Sequence, residues 1–300
     1  MARLWPACLA LGEAFGIGAD GRRSCVVHRR GSALLGFVPL IAGCAWGPSA
    51  PTLPGGPSVI RDQLLVYSDF ELPRRHRLLE ELAGLRVDMA VKLDLPTSDE
   101  PIHVFLFDKP AAYQAYIGQR HPDFPDRRAF FLESDTRLSV YACWGDRIGE
   151  DLRHEIAHGY LHSVTPNVPL WLDEGLAEFF ETPRGRHGLN RPHVDLLWQQ
   201  FQNRAWRPDL RRIETFADMS AMTQLDYAEA WLWAHFLLHT TRERLTLVQT
   251  YLAELRRAAS APPFSRILGT TQPRSEEDLL SHLESLVREP RLPDGSPGPL

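Results

Sequence analysis

Two histidines four residues apart, His154 and His158, bracket Glu155, and Glu174 follows in the segment Trp171-Leu-Asp-Glu-Gly-Leu-Ala-Glu178. On a helix, positions four apart lie one above the other on the same face. His154 and His158 can therefore turn two imidazole nitrogens toward one ion, with Glu155 beside them as a base for a metal-activated water. A catalytic zinc takes three protein ligands and keeps one position open, and two His plus one carboxylate is among its usual sets. Glu174 supplies that carboxylate. Glu178, four residues further along the same face, can accept the spare N–H of a ligating His and fix its tautomer.

The competing interpretation is an amphipathic helix whose two histidines are solvated or satisfied in the core. The surroundings weigh against it. Leu152, Ile156 and Leu161 give the first segment the character of a buried helix, and Ala157 and Gly159 permit close approach by a neighbour. Pro166 and Pro169 end that helix, and Trp171-Leu172 lead into a second. Glu174 and Glu178 then sit among Leu172, Leu176, Ala177, Phe179 and Phe180, where carboxylates are costly to bury without a cation or donor. His162 continues the histidine face, but eight residues of helix span ~12 Å, too far for it to share an ion with His154. It is expected to be a hydrogen-bonded histidine. The third histidine of a metzincin, ten residues after the first, is replaced by Val164.

With these residues in view, the chain resembles the gluzincins, the group of thermolysin and the zinc aminopeptidases, and within them the peptidase MA-like bacterial envelope proteins. The resemblance spans roughly residues 60–240 and implies His154, His158 and Glu174 as zinc ligands, Glu155 as general base and Glu178 as the carboxylate behind the ligands. It also implies a thermolysin-like catalytic domain. In the aminopeptidase branch a Tyr at the head of a similar helix donates a hydrogen bond to the oxyanion. Asp226-Tyr227-Ala-Glu-Ala-Trp231 puts Tyr227 there, although Ala228-Glu229-Ala230 stands where Lys-Gly often follows. Packing is the alternative role for Tyr227. No Gly-x-Met-Glu-Asn-like segment is present, which favours an endopeptidase.

The elements that must position these groups are legible in outline. Val59–Tyr67 and Ile102–Phe107 are strand-like, and residues 73–92 carry Leu78, Leu79, Leu82, Leu85, Val87 and Ala90 at helical spacing. Residues 109–117 predict a short helix, and residues 130–132 and 137–142 predict two strands before the motif helix. Arg137–Ala142 is expected to be the edge strand beside the zinc, to which an extended peptide could add. From His193 onward helices are expected over 194–204, 227–239, 244–257 and 276–287. The fold class is α+β, with a small N-terminal mixed sheet and a mainly helical C-terminal half.

Residues 1–44 read as a targeting region. His28-Arg29-Arg30 precede the short apolar run Ala33–Cys44, whose end, Ile41-Ala-Gly-Cys44, resembles a bacterial lipobox with Cys44 as the lipidated residue. The run is too short to span a bilayer as a helix. Residues 1–27 precede the usual start of such a signal, so translation beginning near Val26 or Val27 is expected. Residues 45–57, rich in Pro and Gly, predict a flexible linker, 58–288 the catalytic domain, and 289–300 a disordered tail. The expected location is therefore the cell envelope, with a membrane anchor. Net charge −5 gives no basic footprint for nucleic acid. The expected function is zinc-dependent hydrolysis of peptide or protein substrates. The alternatives are a non-catalytic zinc-containing envelope binding protein and hydrolysis of a non-peptide amide.

Overall fold

The computed structural model describes residues 51–55, 59–122 and 127–290. Cys44, the apolar run before it and residues 291–300 of the expected tail lie outside this set. Among the described residues no helix is long and apolar enough to cross a membrane.

The fold is α+β. Strands β1 (Val59–Arg61) and β2 (Leu64–Ser68) form a hairpin that turns at Asp62, whose φ of 48° is left-handed. The single strand expected over 59–67 is thus two. Helix α1 (Arg77–Leu93) follows, starting later than Pro73 because the His76 side chain caps it by accepting from the Leu78 amide. Then come β3 (Ile102–Phe107), α2 (Pro110–Arg120), β4 (Ala129–Ser134) and β5 (Arg137–Cys143). The five strands order as β1-β2-β3-β5-β4, parallel across β2-β3-β5 and antiparallel at both margins. This corrects one expectation. Arg137–Ala142 is no edge strand, because β5 pairs with β3 on one side and β4 on the other. The margin belongs to β4.

Alternation along the strands separates two cores. Ile102, Val104 and Leu106 of β3 and Leu138, Val140 and Ala142 of β5 face the main core with α1 and α3 (Ile148–His162). Phe105, Phe107, Phe130 and Tyr141 face the other way, into an aromatic cluster under α2 with Tyr113 and Tyr116.

Beyond α3 the chain is helical: α4 (Leu170–Phe180), α5 (Arg191–Gln202), α6 (Leu210–Ile213), α7 (Gln224–His239), α8 (Arg242–Ala258), α9 (Phe264–Thr271) and α10 (Ser275–Arg288). α6 and α9 have no counterpart in the sequence expectations. α7 is buried continuously from Asp226 to Leu238, the mark of a helix surrounded by others. Its start is set by a capping box in which Thr223 and Asp226 bond each other's backbone amides, and this puts Tyr227 in the first turn. α4 crosses α7 so closely that a Cβ on Gly175 would stand 2.4 Å from the Ala230 carbonyl oxygen. Only glycine fits there, and it sits beside Glu174.

The far end of α7 is unusual in its charge. His235 is buried, its Nδ1 lies 2.9 Å from Nε2 of His282 on α10, and its ring stacks on His239 at 4.8 Å. His187 approaches His239, and Lys92 and Arg244 are the charged neighbours. All of these groups are basic. Burial, then the neighbouring imidazoles and Lys92, push His235 down to about 2. The unfolded chain takes up this proton near pH 6.5 and the folded chain does not, so stability holds above 6.5 and falls as pH drops below it. The cost is about 1.4 kcal/mol per pH unit for one such group. Thermal midpoints of chelator-treated protein should fall between pH 6.5 and 4.5, and more shallowly in His235→Phe. An identical fall in the variant would clear His235 as the source.

Candidate metal centre

α3 carries His154, Glu155, His158 and His162, and α4 brings Glu174 against them after the turn at residues 163–169. His154 Nε2 and His158 Nε2 are 3.3 Å apart, and Glu174 Oε2 lies 3.5 Å from the first and 3.8 Å from the second. Ligand atoms about 2.05 Å from a tetrahedral zinc would be separated by about 3.3 Å. The triangle has that size, and its three residues form one of the acceptor groups in the structure able to hold a metal ion.

The hydrogen bonds explain which atoms face the centre. His154 Nδ1 is 3.0 Å from Glu181 Oε2, and His158 Nδ1 is 2.8 Å from Asp173 Oδ1. With those ring N–H groups donating to carboxylates, both Nε2 lone pairs are left to point inward. Glu174 is 1% exposed, and its Oε2 accepts no hydrogen bond among the described residues. Burying a carboxylate costs on the order of several kcal/mol even after relaxation. A divalent cation in the triangle removes that cost and meets all three acceptors at once, so the residues present fit zinc.

The carboxylate expected behind the ligands is displaced by three residues. Glu178 does not bond a ligating histidine. Its Oε2 lies 2.8 Å from His193 Nε2 on α5, and it also accepts from Asn190. Glu181, three residues beyond at the C-terminal cap of α4, reaches His154 Nδ1 instead. Burial works against charge on Glu178, but His193 holds it low. Burial and then the Glu178 charge push Glu181 up, despite its bond to His154.

Asp173 also accepts from His162 Nε2 at 2.9 Å, and His162 Nδ1 lies 2.8 Å from Glu133 Oε2 on β4. Both ring nitrogens of His162 thus meet carboxylates, and the ring carries both protons. Burial opposes the charge, yet Asp173 and Glu133 push His162 up to about 10. Burial likewise disfavours charge on Asp173, but the two imidazoles hold it well below the usual range. Phe131 of β4 covers the rings, 5.2 Å from His162 and 6.0 Å from His158.

Glu155 is buried, and its carboxyl is raised by that burial, while His154, His158 and Arg127 pull the other way. Tyr227 is also buried, and burial and then the Glu174 charge push its phenol up to about 12. Arg127 Nη2 donates to the Tyr227 hydroxyl at 2.8 Å. The structure therefore brings together His154, Glu155, His158, Glu174 and Tyr227, and adds Asp173, Glu181, His162 and Arg127. The 154–158–162 spacing and the Asp beside Glu174 were signals for part of the addition. Nothing in the sequence pointed to Arg127.

Glu229, in the segment that departs from the aminopeptidase pattern, serves the fold. It accepts from Trp206 Nε1, the Asp209 amide and Arg212.

No protein-family model matches the chain, and no curated protein matches it.

Glu181→Gln and Asp173→Asn should each weaken zinc binding by about 10–100-fold in a chelator competition. Glu178→Gln should change it far less. The reverse ranking would mean that Glu178 and not Glu181 orients the ligand.

Proposed function

We propose that the protein is a zinc-dependent peptidase. The observation that carries this is Glu174 Oε2, buried without a donor among the described residues and facing two inward imidazole nitrogens. His154, His158 and Glu174 would hold the ion. Zinc bound there supplies Lewis acidity, which acidifies water and polarises a carbonyl. Glu155, one residue along from His154, would take the proton of the attacking water and pass it to the leaving amine. A purely structural site has no need of such a base. Tyr227 offers an O–H at the side of Glu174, where negative charge on the carbonyl oxygen would develop. Glu181 and Asp173 keep the ligand rings from turning.

The substrate path follows the sheet. β4 pairs with β5 alone among the described strands, so its other margin is available for an extended peptide to add by main-chain pairing. Phe131 and Glu133 on the same strand touch the histidines, which puts that margin beside the centre. Attachment to a bacterial cell envelope through Cys44 is proposed from the lipobox alone, with a membrane as the partner surface.

Purified protein should contain one zinc per chain by metal analysis and cleave a fluorescence-quenched peptide pool. Glu155→Gln should abolish cleavage with zinc retained, and His158→Ala should lose both. Zinc without cleavage in the wild type would favour a binding protein. Undiminished cleavage by Glu155→Gln would remove Glu155 as the base.

A further inference from the structure

Arg127 stands two residues before β4, far in sequence from the motif helices, with its guanidinium directed at the first turn of α7. Its Nη2 is 2.8 Å from the Tyr227 hydroxyl and its guanidinium carbon is 5.6 Å from the ring centroid. Tyr227 is 5% exposed. Burial disfavours the charge on Arg127, but Tyr227, Glu174 and Glu155 together sustain it. One cation therefore serves a phenol, a ligand carboxylate and the base.

We propose that Arg127 is a positioning residue, which fixes the direction of the Tyr227 hydroxyl proton so that the phenol donates into the metal centre. The inference rests on the peptidase reading and deepens it. A guanidinium carries donors and no acceptor, whereas a phenol has one proton and an oxygen that accepts. The bond between them runs from Arg127 to Tyr227. The phenol oxygen is thus occupied as an acceptor on the Arg127 side, and its own O–H turns elsewhere. The nearby negative charge of Glu174 draws that proton toward the centre, where a developing oxyanion would take it.

The arrangement distinguishes a working phenol from a packed one. A tyrosine that only fills space needs an apolar bed and any partner for its hydroxyl, water included. Here the partner is a charged group, partly buried at some cost. Arg127 also joins the margin strand to α7, so the two walls flanking the centre are held together through the hydroxyl.

The test is a double-mutant cycle on the zinc-loaded chain with Arg127→Met, Tyr227→Phe and both together. The substrate is a quenched peptide that the wild type cleaves. A phosphinic peptide, a tetrahedral anion, serves as a binding probe by calorimetry. Zinc content and thermal midpoint confirm that each variant is loaded and folded. Each single variant should lose about 10²-fold in kcat with KM nearly unchanged, the scale of one lost oxyanion donor. The double variant should be no worse than either, since both remove one device. Phosphinate affinity should fall in parallel, and Arg127→Lys should recover part of both losses.

Multiplying losses, or a rise in KM with kcat intact, would overturn the proposal by making Arg127 a separate substrate contact. So would unchanged kinetics in Arg127→Met. A wild type that binds zinc and cleaves nothing would instead fail the peptidase reading and leave Tyr227 no reaction to serve. An active wild type with an additive cycle would fail this inference alone.

Discussion

Everything around the centre is arranged to tolerate one expensive group, the buried carboxylate of Glu174. Its Oε2 lies within 3.8 Å of two imidazole nitrogens and, among the described residues, has no hydrogen-bond donor. In a low-dielectric interior such an oxygen is favourable only beside positive charge. The two imidazoles can provide it by taking up a second proton at Nε2, a state that burial opposes but the surrounding carboxylates favour in both rings, or by holding a cation between them. The carboxylates behind the rings therefore do two things. They orient the rings, and they add negative charge that a cation in the triangle would offset.

Position follows from packing. Glu174 is held where it is by α4 lying against α7, and that contact is limited by Gly175 under the Ala230 carbonyl. A helix buried on all sides, with Trp231 and Trp233 fully enclosed, makes a rigid backing for a site. The capping box at Thr223 starts the same helix at a defined residue, so Tyr227 and Gly175 are referred to one element. The α3–α4 pair supplies the residues of the triangle, and α7 backs them.

The residues that act through helical spacing were legible in the sequence. His154, His158 and Glu174 converge because a four-residue step and a proline-bounded turn leave few other outcomes, and the apolar strands and long helices were visible through their periodicity. What was hidden depends on tertiary geometry. Glu178 and Glu181 differ by less than one turn, and which of them meets His154 depends on how α4 packs against α3. Strand order could not be read from β5 itself, since a central and a marginal strand share its composition. The parallel pairing to β3 moved the margin to β4. α6 and α9, at four and eight residues, are too short to show a helical pattern. Arg127 was invisible because its partner lies one hundred residues away.

The line from Glu133 through His162 and Asp173 to His158 joins the outermost strand to a ligand by three contacts of 2.8–2.9 Å. Such a line behaves as a strut. A peptide that moved β4 would pull on Glu133, and the displacement would reach His158, whose Nε2 faces the proposed centre. In the proposed peptidase, occupancy of the rim and alignment of the metal centre would thereby be one mechanical variable, and a loosely seated chain would meet a less well-ordered centre than a fully seated one.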